Sequence, residues 1–207
     1  MAFYHQPRFL VILTSMGGQM RRLFWFSSGV VLLVSSALSQ QWMTDRITSL
    51  PDINRIDSLT KALCKEAEGK KAPTFTFRGL ADDSLHTLAE YIGHVTVVNF
   101  WGTTCSGCRM EMPDLSRLHE SFQNKGVSVV FLSSQSKKVL TDFLAIHPVS
   151  GIKGIVERSQ LTEPYQMFAM PSSFLIDRSG IVREMWMGPR TFEQLEKTIQ
   201  PYLTPAH

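Results

Sequence analysis

Cys105 and Cys108, separated by two residues in "VVNFWGTTCSGC", are the side chains of this 207-residue chain best suited to chemistry. A thiolate can attack a disulfide, bind a soft metal or be oxidised, so a close pair admits several readings. Attachment of a c-type haem requires His directly after the second cysteine, and position 109 is Arg. Structural zinc requires two more ligands at short spacing, and no second cysteine pair or paired His accompanies these two. Copper carriers with a distant His space their cysteines by three residues; here the gap is two, although His119 or His147 could supply the nitrogen. A peroxide-reducing thiol calls for Thr three residues before it and Pro seven before it, where this chain has Gly102 and Val98. A purely structural disulfide between such near neighbours encloses almost no loop and stabilises little. Exchange of two electrons with a partner's disulfide is the chemistry this spacing serves best.

The elements that must hold the pair can be read on either side of it. "HVTVVNFW" and "VSVVFLSS" are continuous valine-rich runs, the pattern of strands buried on both faces. Between them Met112, Leu115, Leu118 and Phe122 recur at helical spacing, and Gly126 supplies the stop. This predicts a β-α-β unit with parallel strands and a right-handed crossover. Cys105 then falls where the helix begins, facing unpaired backbone N–H groups and the positive end of the helix dipole. Both favour the thiolate, so its pKa is expected below the free value of about 8.5. Cys108 lies nearly one turn later, on the same side and deeper, placed to attack a mixed disulfide on Cys105.

Elsewhere "PTFTFRGL" alternates as a strand does, and Lys137–Ala145 reads as a helix. "SSFLID" and "IVREMWM" form an expected antiparallel hairpin, turned at Arg178-Ser179-Gly180. Thr191 with Gln194 makes a capping box for a last helix, whose apolar face is Phe192, Leu195, Ile199 and Leu203. The order β-α-β then β-β-α predicts an α/β fold, a central mixed sheet flanked by helices. The methionines of "RMEM" and "MWM" are read mainly as core fillers.

"MRRLFWFSSGVVLLVSSALSQQ", from Met20, has the layout of an export signal: Arg21 and Arg22, an apolar run Leu23–Val34, then Ala37 and Ser39 as small cleavage-site residues. Residues 1–39 are therefore expected to be a signal or membrane anchor, with Met20 as the true start. The apolar run is shorter than the ~20 residues a spanning helix needs, which favours the signal over the anchor. Residues 40–71 read as a polar connector with a short helix marked by Leu59, Leu63 and Ala67, and 72–207 as the globular domain. Residues 1–39 carry Arg8, Arg21 and Arg22 and no acid; removing those three from 21 basic residues leaves 18 against 18 acidic ones. A neutral body gives no reason to expect nucleic acid as a partner. Export would place the thiols in an oxidising compartment, and three cysteines fit one working pair plus Cys64, a lone thiol in the connector.

The stretches "APTFTF", "VVNFWGTTCSGCRMEMPDL", "GVSVVFLSS" and "MPSSFLIDRSGIV" together resemble the thioredoxin-like reductases of the TlpA/ResA type, from about Ala72 to Leu203. The resemblance implies a thioredoxin fold and a thiol-disulfide oxidoreductase, without an organic cofactor. Its expected partners are disulfide-bearing envelope proteins and a membrane redox donor. It implies a periplasmic place, free or tethered to the membrane, with cytochrome c maturation as one duty of the family. Cys105 resembles the nucleophile and Cys108 the resolving thiol. Glu111 resembles an acid near the thiols, and Pro113 the residue that kinks the active-site helix. Pro171 resembles a cis-proline beside the disulfide, where the backbone of Met170 would pair with an extended substrate. Trp101 is read as core or as substrate-facing. The chain departs from the family at Thr104, at Ser106-Gly107 and at Met170, positions that bear on potential and substrate choice. A disulfide-forming oxidase of the same fold and a copper-delivery module are the alternatives.

Overall fold

The computed structural model describes residues 53–162 and 169–203. The expected export signal, the start at Met20 and the first part of the connector lie outside the described residues. A seven-stranded mixed sheet runs in the order β2-β1-β5-β4-β3-β6-β7. Its strands are β1 (Thr76–Gly79), β2 (Leu85–Thr87), β3 (Val95–Phe100), β4 (Val127–Ser133), β5 (Ile152–Ile155), β6 (Ser172–Ile176) and β7 (Val182–Met187). The valine runs are β3 and β4, every residue of both is buried, and they pair in parallel with Val97 opposite Val129. β5 continues the parallel set beside β4, whereas β6 is antiparallel to β3 and β7 to β6, as the hairpin signal predicted.

Strand alternation divides the core in two. Val95, Val97, Val129, Phe131 and Leu175 face a cluster with Met112, Leu115, Leu118, Leu140, Leu195 and Ile199. Those partners come from α2 (Ser106–Phe122), α3 (Lys137–Ile146) and α5 (Phe192–Ile199), the last following the single-turn α4 (Ser159–Thr162). Val98, Phe100, Val130, Leu132 and Phe174 face the second cluster, with Phe75, Phe77 and Cys64. Each fully buried aliphatic or aromatic side chain of this kind is worth about 1.5–3 kcal/mol. The two-sided burial explains why β3 and β4 carry no polar alternation, and it makes the end of β3 a rigid point of delivery. α5 stops at Ile199 and gives way to a 3-10 turn over 200–202, since Pro201 lacks the N–H that would continue the helix.

The connector differs from its expectation. Its helix forms as α1 (Ile53–Ala67), but Leu59 is 55% exposed and the inward stripe is Thr60, Leu63, Cys64 and Ala67. Cys64 is thus a buried, unoxidised member of the core, with its pKa raised first by burial. Beyond the helix the Gly69 N–H donates to Val182 O at 2.8 Å, the Ala72 N–H to Gly180 O at 2.8 Å, and Lys71 bridges to Ile181. From Ile56 the chain forms one compact unit, so the boundary expected at Ala72 lies inside it.

Candidate active site

Cys105 is the N-cap of α2, and Cys105 and Cys108 form a disulfide with their Cα atoms 5.3 Å apart. The Cys108 N–H points at Cys105 Sγ, 3.1 Å away. Cys105 is half-buried at the surface and Cys108 fully buried, so a partner reaches the first sulfur and not the second. This asymmetry follows from the helix start: its first residue borders solvent, and the residue three later turns inward with Met112 and Leu115. The Cys108 N–H and the positive end of the helix dipole then lie at the accessible sulfur, where negative charge would develop.

Glu111 follows Cys108 by three residues, on the same helix face, and is entirely buried. Three donors converge on its carboxylate. Asn99 Nδ2 donates to Oε2 at 3.1 Å, Trp186 Nε1 to Oε1 at 3.1 Å, and the Arg190 main-chain N–H to Oε1 at 3.3 Å. Burial penalises the charge more than these donors relieve it, and the carboxyl is pushed up to about 7. An acid with that pKa can take and return a proton near neutral pH. The supporting residues are held in turn. Asn99 Nδ2 also donates to Ser173 Oγ at 2.9 Å, and the Arg190 guanidinium lies 4.2 Å from the Trp186 ring centre while pairing with Glu184 and Thr198.

Two loops close on the disulfide end of α2. The Met170–Pro171 peptide is cis, as the resemblance implied. A Cβ at Gly107 would stand 3.2 Å from Pro171 Cδ and 3.5 Å from Pro189 Cδ, so the glycine lets both prolines approach the helix. The Gly188 N–H donates to Pro171 O at 2.9 Å, tying the loop after β7 to the cis-proline loop. Met170 is 42% exposed and Met110 64% exposed, whereas Met112 and Met185 are buried, as core fillers should be.

Of the residues expected at the site, Cys105, Cys108, Glu111, Met170 and Pro171 come together at this end of the sheet. Trp101 does not face a substrate. It is 2% exposed, its ring packs 5.4 Å from that of Phe143, and alternation along β3 turns it toward the helices with Val95 and Val97. Pro113 lies within α2, as expected. Sequence reading missed Asn99, Gln135, Trp186, Pro189 and Arg190. Asn99 carried a usable signal, an amide inside a valine run; the others have ordinary local surroundings. Among the described residues no group of three His, Cys, Asp or Glu is arranged to hold a metal, and the His147 ring packs at a tilt on that of Phe143, their centres 4.6 Å apart.

A sequence profile of the AhpC/TSA family matches residues 69–185. Among curated proteins, thiol-disulfide oxidoreductase ResA of Bacillus cereus is 32% identical over 138 residues, covering 66% of this chain and 79% of its own. ResA of Geobacillus kaustophilus is 29% identical over 135 residues, covering 65% and 77%. A solved structure from Chlorobium tepidum, assigned as thiol:disulfide interchange protein DsbE, is 30% identical with a TM-score of 0.62, and the match covers 66% of this chain and 98% of that one.

Proposed function

The chain belongs to the AhpC/TSA family as a thiol-disulfide oxidoreductase of the ResA type, and from that premise we propose that it is exported and reduces disulfides of bacterial envelope proteins. Residues 1–39 serve as the export signal or tether. The Cys105 thiolate attacks one sulfur of a substrate disulfide, forming a mixed disulfide and releasing the other substrate sulfur as a thiolate, which takes a proton from water. Cys108 then gives its proton to Glu111 and attacks Cys105 Sγ. The Cys105–Cys108 bond forms, the second substrate thiolate leaves and accepts the proton, and two electrons have passed to the substrate. An extended substrate segment lies along the backbone at Met170, against Pro171. The oxidised pair is renewed by two electrons from a membrane donor. Cytochrome c maturation is one pathway that consumes such reduced thiols.

The observation that carries the reducing direction is the buried carboxyl of Glu111 on the helix face of Cys108. Ionised, it opposes a second negative charge on the thiols, which raises their pKa values and makes the dithiol a readier electron donor. Replacing Cys108 with Ser tests the scheme, because the mixed disulfide on Cys105 then has nothing to resolve it. Envelope proteins should be captured through Cys105 and released by dithiothreitol. No capture, together with a wild type inert toward model disulfides, would refute the scheme.

A further inference from the structure

We propose that Gln135 is a positioning residue of the reaction, whose amide grips Thr103 and thereby holds Cys105 at the start of α2 once the disulfide is open. Gln135 lies in the connection from β4 to α3, 30 positions from Cys105 in sequence. Its side-chain amide addresses Thr103 with both ends. The Thr103 N–H donates to Gln135 Oε1 at 2.8 Å, and Gln135 Nε2 donates to Thr103 Oγ1 at 3.0 Å. The rest of the turn is held from β4 and from within. The Trp101 N–H donates to Leu132 O of β4 at 3.0 Å, and the Cys105 N–H closes on Gly102 O at 3.1 Å. β4 therefore grips the turn at Trp101 through its main chain, and the connection after it grips Thr103 through Gln135, directly ahead of the reactive sulfur.

The grip matters unequally in the two redox states. In the disulfide, the covalent bond to Cys108 keeps Cys105 at the helix N-terminus whether or not Gln135 is present. Reduction adds two electrons and, with Cys105 remaining a thiolate, one proton on Cys108. Only non-covalent contacts then keep the thiolate against the N–H groups that stabilise it. Loss of the grip lets the turn loosen in the reduced state alone, so the Cys105 pKa rises and the pair becomes harder to reduce.

This inference rests on Cys105 being the attacking thiol, and the experiment separates the two. Gln135→Met fills the same space without hydrogen bonds. In redox buffers of dithiothreitol its disulfide should be favoured about fivefold more than in wild type, the size expected for about one net hydrogen bond. That ratio corresponds to a potential roughly 20 mV lower. Its thiolate absorbance should titrate at higher pH, and the melting temperature of the oxidised form should fall less than that of the reduced form. Thr103→Ser, which keeps both partner atoms, should behave as wild type, and Thr103→Val should show a smaller shift of the same sign. Wild-type titration and equilibrium in Gln135→Met overturn the proposal, as does an equal loss of stability in the oxidised and reduced forms. If Gln135→Met does not fold, Thr103→Val alone decides, and an unshifted titration there overturns it. Alkylation of reduced wild type at low pH tells which premise failed. Labelling at Cys108 instead of Cys105 removes the attacking-thiol reading, whereas labelling at Cys105 with no change in Gln135→Met removes only the grip.

Discussion

Replacing Glu111 with Gln should abolish a specific pH dependence of stability. Glu111 ordinarily ionises near 4.5 and in the folded chain is pushed up to about 7, chiefly by burial. Between those values the native state holds a proton that the unfolded chain releases, so stability falls as pH rises, by 1.36 kcal/mol per pH unit. The full loss is about 3 kcal/mol, absent below pH ~4.5 and complete above pH ~7. Gln keeps the shape and cannot ionise. Its oxygen can accept from Trp186 Nε1 and the Arg190 N–H, which already meet at a single carboxylate oxygen. Its amide nitrogen then faces Asn99, whose Oδ1 is buried without a protein partner and becomes an acceptor if that amide turns over. The Ser173 hydroxyl, which accepts from Asn99 Nδ2, can rotate to donate in the turned arrangement. Urea unfolding of the oxidised proteins between pH 4.5 and pH 8 reads the effect without titration of Cys105 or Cys108, and Cys64 contributes equally to both proteins. The wild type should lose about 3 kcal/mol more than Glu111→Gln over that range. Parallel curves for the two proteins would refute the account of a buried, proton-holding carboxyl.

Arg190→Met removes a charge that lowers the Glu111 pKa, so the carboxyl should hold its proton to still higher pH. The limb of the thiol-disulfide exchange pH–rate profile that follows Glu111 should move upward, and an unmoved limb would show that Arg190 does not tune it. Gly107→Ala places a methyl group 3.2 Å from Pro171 Cδ, with Pro189 Cδ at 3.5 Å. Overpacking of this kind costs about 1–3 kcal/mol; thermal unfolding should show it, and an undiminished melting temperature would mean that the prolines give way freely.

What could be read in the sequence was local. β3, β4 and α2 were legible because valine runs and a helical repeat are carried by consecutive residues, and the position of Cys105 at their junction followed. Short strands such as β5, "IKGI", carry too little pattern to register, and Gly154 within it reads as a breaker although Phe77 packs against it. In α1 the apolar spacing Leu59, Leu63, Ala67 competed with Thr60, Leu63, Cys64, Ala67, and only packing on the sheet selects the second. Trp101 was ambiguous because it adjoins the cysteines in sequence, yet alternation counted from Val95 assigns it to the core. Trp186 and Arg190 were invisible as site residues because they reach Glu111 across 75 and 79 positions of chain. Contacts of that range depend on the registry of β6 on β7, which no local pattern encodes.

The direction of exchange is the central claim, and the reduction potential of the Cys105–Cys108 pair tests it most directly. Equilibration in dithiothreitol and glutathione buffers should place the pair near the value of about −270 mV typical of thioredoxin, as a reductase requires. A value near about −120 mV, typical of a disulfide-forming oxidase, would contradict the account.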